Sequence, residues 1–225
     1  MSERAQVLEP DNFGHAASIS DSYIRWRGDL DAARRALPDN PVEPGPMYHF
    51  GRLWLLFAER DYAAALKHAE QLDNFGPFFQ NLGSYFVGVI QYQAEGRENA
   101  RKNLDSTVRL LRGRIETSPS NYLMHSFLGL TYAMLGMDQE AVREVKLAMD
   151  LTAKDAFVNP RMRENLAIVY ATIGRHDDAI DLIEQLLSEE STAPVTIPYL
   201  RLVPFWDPLR DNPRFQALVA SNEGT

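Results

Sequence analysis

The sequence predicts an all-α chain, an α-solenoid of about five helix–turn–helix units closed by a proline-rich C-terminal segment. Three observations carry this reading. First, the chain repeats itself. The stretch NYLMHSFLGLTYAMLGMDQEAVREVKLAMDL from Asn121 lies over NPRMRENLAIVYATIGRHDDAIDLIEQLLSE from Asn159 at an offset of 38 residues, and self-similarity at such a period marks stacked units that bury a shared core. Second, apolar residues within a unit recur at three- and four-residue spacing, as in Ala141, Val145 and Ala148, which places one narrow face of a helix against a neighbour. Third, glycines fall at matching stops, Gly136 and Gly174, where a left-handed residue ends a helix.

The two strong copies show how one unit is built. Leu128 falls on Leu166, Gly129 on Ala167, Tyr132 on Tyr170, Ala141 on Ala179 and Val145 on Ile183, so large residues match large and small match small. Phe127, Leu128, Leu130, Ala133 and Met134 surround a first helix, and Tyr132 projects into a neighbour. Gly129 and Ala167 are small where two helices approach closely. Asp138 is expected to cap the second helix. Asn159-Pro160 is expected to start the next unit, Asn as the cap and Pro in the first turn. Weaker copies lie upstream. Tyr92, Gly96, Ala100 and Leu104 form one that is a residue shorter between glycine and alanine. Tyr23, Gly28, Ala33 and Leu37 form another that is a residue longer between tyrosine and glycine. LLFAERDYAAALKHAEQL carries Arg60-Asp61 where glycine stands elsewhere. The linker PDNPVEPGP (38–46) reads as a loop, because the helical pattern resumes beyond it unchanged.

These residues resemble the tetratricopeptide repeat (TPR), a helix–turn–helix unit of about 34 residues. The resemblance is strong over 121–190, fair over 13–40 and 84–116, and weak over 47–73. The units here are longer, with spacers such as TAKDAFV. The resemblance implies a right-handed superhelix over 1–190 and a capping segment over 191–225. In this family the second helix commonly ends in an apolar residue, then Pro and Asn. AQVLEPDN matches that with Ala5, Leu8, Pro10 and Asn12, so the chain is expected to begin inside a second helix whose first helix is missing, as a fragment or truncation of a longer protein. The alternative is an N-terminal capping helix. At the other end, IPYLRLVPFWDPLRDNPRFQALV has four prolines between large apolar residues and cannot form one long helix. Its place is expected to be the open end of the solenoid. Its DPLRDNPRFQAL string resembles the ending of TPR regions in large bacterial signalling proteins, where the repeats follow a cyclase, a protein kinase or a winged-helix domain with a TolB-like segment.

Composition excludes several classes of function. A formal charge of −8 and a pI near 5.2 disfavour nucleic acid and acidic membrane surfaces as partners. No run of about 18 apolar residues occurs, and MSERAQVLEP lacks a signal-peptide pattern. With zero cysteines there is no disulfide, thiol nucleophile or Cys-ligated metal. A cytoplasmic setting is expected. The five histidines, His15, His49, His68, His125 and His176, form no HExxH or other close ligand pair in sequence and read as surface or structural residues. GSYFVG (83–88) lies in an apolar helix and lacks a P-loop lysine. GHAASISDS has no nucleophile-elbow pattern. The carboxylates of SEE (188–190) and HDD (176–178) read as solvated faces. No catalytic residue, cofactor or metal site is expected.

The aromatic stripe is the leading candidate for function. In the resembled family, first helices line a concave groove, and the register then puts Phe50, Trp54, Phe57, Phe86, Ile90, Leu130 and Met134 on it. Such a groove takes an apolar or amphipathic peptide or helix. The competing assignment is plain core, since the same spacing describes a buried face. Arg161 and Asn165 stand near the places of the basic clamp by which some relatives hold a carboxylate, but its other members are missing from the preceding repeats. The expected function is therefore protein–protein interaction, as a scaffold or regulatory region without enzyme activity. Self-association as a homodimer is a second possibility. A small-ligand receptor or α/α enzyme is a third, and it requires a polar cluster converging inside the groove that the sequence does not display.

Overall fold

The computed structural model describes residues 13–37, 43–189 and 195–220. All regular structure among them is helical, and no strand occurs. The first pair is α1 (Phe13–Ser22), prolonged by a π-helical turn (Tyr23–Arg27), and α2 (Leu30–Ala36). The second is α3 (Pro46–Ala58) and α4 (Tyr62–Gln71), followed by a 3-10 turn (Leu72–Phe75). The third is α5 (Pro77–Glu95) and α6 (Arg97–Thr117), the fourth α7 (Tyr122–Leu135) and α8 (Asp138–Leu151), and the fifth α9 (Asn159–Thr172) and α10 (His176–Ser188). The tail comprises α11 (Ile197–Leu202), a second 3-10 turn (Pro204–Leu209) and α12 (Pro213–Ala220). The severed half-repeat expected at residues 3–12 lies outside the described residues, as do the linker positions 38–42.

Each first helix packs on its own second helix and on the first or second helix of the neighbouring pair. The closest approach is at Gly129. A Cβ there would stand 2.5 Å from Val145 Cγ2 and 2.8 Å from the Ala141 carbonyl oxygen, so α7 and α8 meet only because the side chain is absent. Its counterpart Ala167, on α9, is fully buried. Gly136 and Gly174 each adopt φ +79, the left-handed geometry that ends α7 and α9. Arg60 takes the same geometry, with φ 62, at the point where the second pair has no glycine. That strained backbone is held by its side chain, which donates to the Leu202 carbonyl at 3.1 Å and to Asp207 Oδ1 at 2.6 Å.

The irregular spacings have structural consequences. The extra residue between Tyr23 and Gly28 is absorbed as the π-helical turn, the usual way an inserted residue is stored without breaking a helix. The missing residue after Gly96 leaves that glycine as the only residue between α5 and α6, at φ 83 and ψ 176. Two expected caps are corrected. Asp138 is the first residue of α8 and makes no capping bond. The residue before it is Met137, and the acidic side chain instead faces the positive end of the helix dipole. Asn159 lies inside the first turn of α9. Val158 precedes it without a capping side chain, and Asp155 Oδ1 holds the turn just before the helix, accepting from the Phe157 and Val158 amides at 3.0 and 2.9 Å. The Asn159 amide reaches back to the Met149 carbonyl and Thr152 Oγ1, tying down the long spacer.

The tail joins both ends of the molecule. On one side α12 sits against the last pair, where Arg214 bridges Asp181 and Glu184 of α10 at 2.6 and 2.7 Å. On the other side the preceding segment crosses to the first two pairs. Thr196 Oγ1 donates to the Arg25 carbonyl, Pro198 packs on Gly28, and Phe205 lies 5.2 Å from Phe57 and 6.1 Å from Trp54. Tyr199, Leu200, Trp206 and Leu209 are essentially inaccessible and belong to the same continuous core as the helix pairs. The first and fifth pairs also touch directly, through Arg25 Nη1 and Glu164 Oε1 at 3.4 Å. The inner helices therefore close on themselves.

Candidate functional site: the inner cavity

Closure leaves a cavity of about 390 Å³, walled by the first helix of every pair, the π-helical turn and the tail. The side chains arrive there by repeat register. Leu123, Phe127 and Leu130 come from α7, and residues 38 positions later on α9 are Arg161, Asn165 and Ile168. Phe50 and Trp54 come from α3, Tyr85 and Phe86 from α5, and Phe205 closes the wall from the tail. The rings are mutually packed. Tyr85 stacks on Phe127 at 4.7 Å, and Phe86 meets Phe50 at 6.0 Å and Trp54 at 6.2 Å edge to face. Burial pushes the Tyr85 phenol well above its ordinary range. The cavity opens to solvent past Met47, Asp21 and Arg161, whose side chains are partly exposed.

Four of the seven residues expected on a concave groove, Phe50, Trp54, Phe86 and Leu130, line this cavity. The other three do not. Phe57, Ile90 and Met134 are buried in the core, Phe57 between Tyr62 and Phe205. Phe205 covers the Trp54–Phe57 seat with a side chain of the chain itself.

One wall is polar. Arg25, almost fully buried, places its guanidinium 3.3 Å from both Asp21 oxygens, 3.4 Å from Glu164 Oε1 and 4.2 Å over the Tyr199 ring. Burial opposes its charge, but Tyr199, Glu164 and Asp21 outweigh burial and raise the guanidinium above its usual value. Burial, reinforced by Glu164, likewise raises the Tyr199 phenol. Glu164 is 1% exposed. Its Oε2 accepts no hydrogen bond and stands 3.7 Å from Arg161, whose side chain is 47% exposed. Asn165 donates to Ser126 Oγ at 2.7 Å across the α7–α9 contact.

Sequence reasoning passed over Arg25, Asp21, Glu164, Tyr199 and Phe205. A signal existed for part of this set. Glu164 falls on Ser126, Arg161 on Leu123 and Asn165 on Phe127, so polar residues replace small or apolar ones at inward positions of the last pair. The extra residue beside Arg25 marked the other half.

Two histidine contacts also emerge from the packing. His49 and His68 bring their Nδ1 atoms to 3.1 Å between α3 and α4. Burial, then the charges of His49 and Arg52, lower His68 to about 4, and burial lowers His49. His125 faces Glu144 Oε2 at 2.8 Å and the Pro119 carbonyl at 2.9 Å, and is buried. No group of three or more potential metal ligands occurs among the described residues, and no described helix is long and apolar enough to cross a membrane. Neither the family models nor the curated proteins match this chain.

Proposed function

We propose that the chain is a recognition module without catalytic activity, a TPR-like solenoid whose inner cavity receives a compact ligand. The observation that carries this reading is the closure: inner helices of all five pairs and the tail surround one apolar space of about 390 Å³ with a polar wall. That is the size and character of small-molecule sites, which combine apolar walls with a few convergent polar groups. A helix about 10 Å across does not fit such a space without opening the ring. The converging polar cluster that the small-ligand alternative requires is supplied by Asp21, Arg25, Arg161, Glu164 and Asn165. In a larger signalling protein of the kind the C-terminal segment resembles, occupancy would be passed on through the seam between the first and last pairs.

A second reading, peptide recognition, is favoured by one specific observation. Residues 202–207 already lie on the aromatic seat as a peptide would, with Phe205 on Trp54 and Phe57 and with Arg60 holding Leu202 and Asp207. Native mass spectrometry of the chain isolated from its source separates the two. A compact ligand released on denaturation, and absent from the cavity-filling variant Leu130→Trp, is the expected result. Stoichiometric capture of a longer peptide, unaffected by Leu130→Trp, would overturn the cavity reading in favour of the second.

A further inference from the structure

We infer that the cavity's ligand is a small organic cation, an alkyl or aryl ammonium compound. This deepens the cavity reading and rests on it. The walls present Phe50, Trp54, Tyr85, Phe86 and Phe127 around a space that holds about a dozen non-hydrogen atoms at liquid density. Aromatic faces attract cations through the ring quadrupole, most strongly where water is excluded. Two carboxylates border the same space, Asp21 and Glu164. Glu164 is the decisive group. It is 1% exposed, its Oε1 is engaged by Arg25 at 3.4 Å, its Oε2 has no hydrogen bond of normal length, and the buried Tyr199 phenol lies against the same carboxylate. A buried carboxylate oxygen without a donor is costly, and a donor that arrives with a ligand recovers that cost.

Arg161 is a cation that faces that oxygen. At 3.7 Å it is too far for a hydrogen bond, and its side chain is 47% exposed at the edge of the cavity. A half-solvated ion pair of that length contributes little and is readily exchanged. A ligand ammonium at Glu164 Oε2 replaces it with a short charge-assisted bond inside the aromatic walls, and Arg161 moves out to water. A ligand carboxylate would bind Arg161 but would leave Glu164 Oε2 without a donor.

The test is calorimetry at pH 7 with three probes of one shape: 3-phenylpropan-1-amine, 3-phenylpropan-1-ol and 3-phenylpropanoate. The amine is expected to bind about tenfold more tightly than the alcohol, and the acid more weakly than either. Arg161→Gln, on an exposed side chain, is expected to tighten the amine several-fold by removing its competitor. Glu164→Gln is expected to weaken the amine about tenfold and to leave the alcohol nearly unchanged. Tightest binding by the acid, lost in Arg161→Gln, overturns the inference, as does equal binding of all three. If Glu164→Gln does not fold, the sign of the Arg161→Gln effect still decides. Leu130→Trp separates the two levels. Probes that bind without charge preference and are blocked by it leave the cavity standing and refute the cation. No binding by any probe refutes both.

Discussion

Replacing Gly129 by alanine should destabilise the chain, although alanine is the better helix former. In an exposed helix the exchange is worth about 0.8–1.0 kcal/mol in alanine's favour. At Gly129 the new Cβ would stand 2.5 Å from Val145 Cγ2 and 2.8 Å from the Ala141 carbonyl oxygen, both on α8. The second neighbour is backbone and cannot rotate away. Relief requires α7 and α8 to part by roughly 1 Å over the contact, and overpacking of this kind costs about 1–3 kcal/mol. The net expectation is a loss of up to about 2 kcal/mol. Gly113 on α6 is the internal control, since a Cβ there meets nothing within 4 Å. Gly113→Ala should therefore stabilise by about 0.5–1 kcal/mol. Urea denaturation followed by circular dichroism measures both. Equal stabilisation by the two substitutions would refute the close-approach account of the pair and the packing meaning given to the repeat position.

Arg25→Met should cost about 3–5 kcal/mol in the same assay, because it strands Glu164 in the interior, and adding Glu164→Leu should restore most of the loss; two additive losses would show that the pair is not coupled. Trp54→Ala should lower stability by about 3–5 kcal/mol while the remaining folded chain keeps its helicity, since Trp54 is 8% exposed and packs on Phe57, Phe86 and Phe205; an unchanged midpoint would mean a peripheral ring. Acid should weaken the fold through His68. Its folded value, about 4, lies below the ordinary 6.5, so the unfolded chain binds the extra proton and stability falls as pH drops from 6.5 towards 4. Solvent screening of the partly exposed ring limits the effect to the order of 1 kcal/mol. His68→Gln should flatten that part of the pH profile, and an unchanged slope would assign the acid sensitivity elsewhere.

Local chemistry made much of the fold legible. Gly136 and Gly174 end helices because left-handed backbone is accessible to glycine wherever the rest of the chain lies, and Ala141, Val145 and Ala148 are buried as their spacing requires. Cap assignment at Asp138 and Asn159 failed by one position. Both residues are good caps, but the boundary fell at their neighbours Met137 and Val158, neither of which has a capping side chain, with Asp155 holding the turn before α9. The candidate site was legible only in its apolar part. Phe50, Trp54, Phe86 and Leu130 follow helical register, which is a property of adjacent residues. Register could not separate them from Phe57, Ile90 and Met134, because the wall and the core share one periodicity.

By itself, the sequence determined that the chain is helical, where most helices stop, and which small residues let them touch. These are short-range matters of propensity, capping and i to i+4 spacing. Only the tertiary structure decided that the inner face is partly enclosed. That outcome depends on contacts between residues far apart, Arg25 with Glu164 across 139 positions and Arg60 with Asp207 across 147. Such contacts are not recorded in any local pattern. Whether an aromatic stripe faces open water or a 390 Å³ cavity is settled there, by where the tail lies down and which charges it brings together.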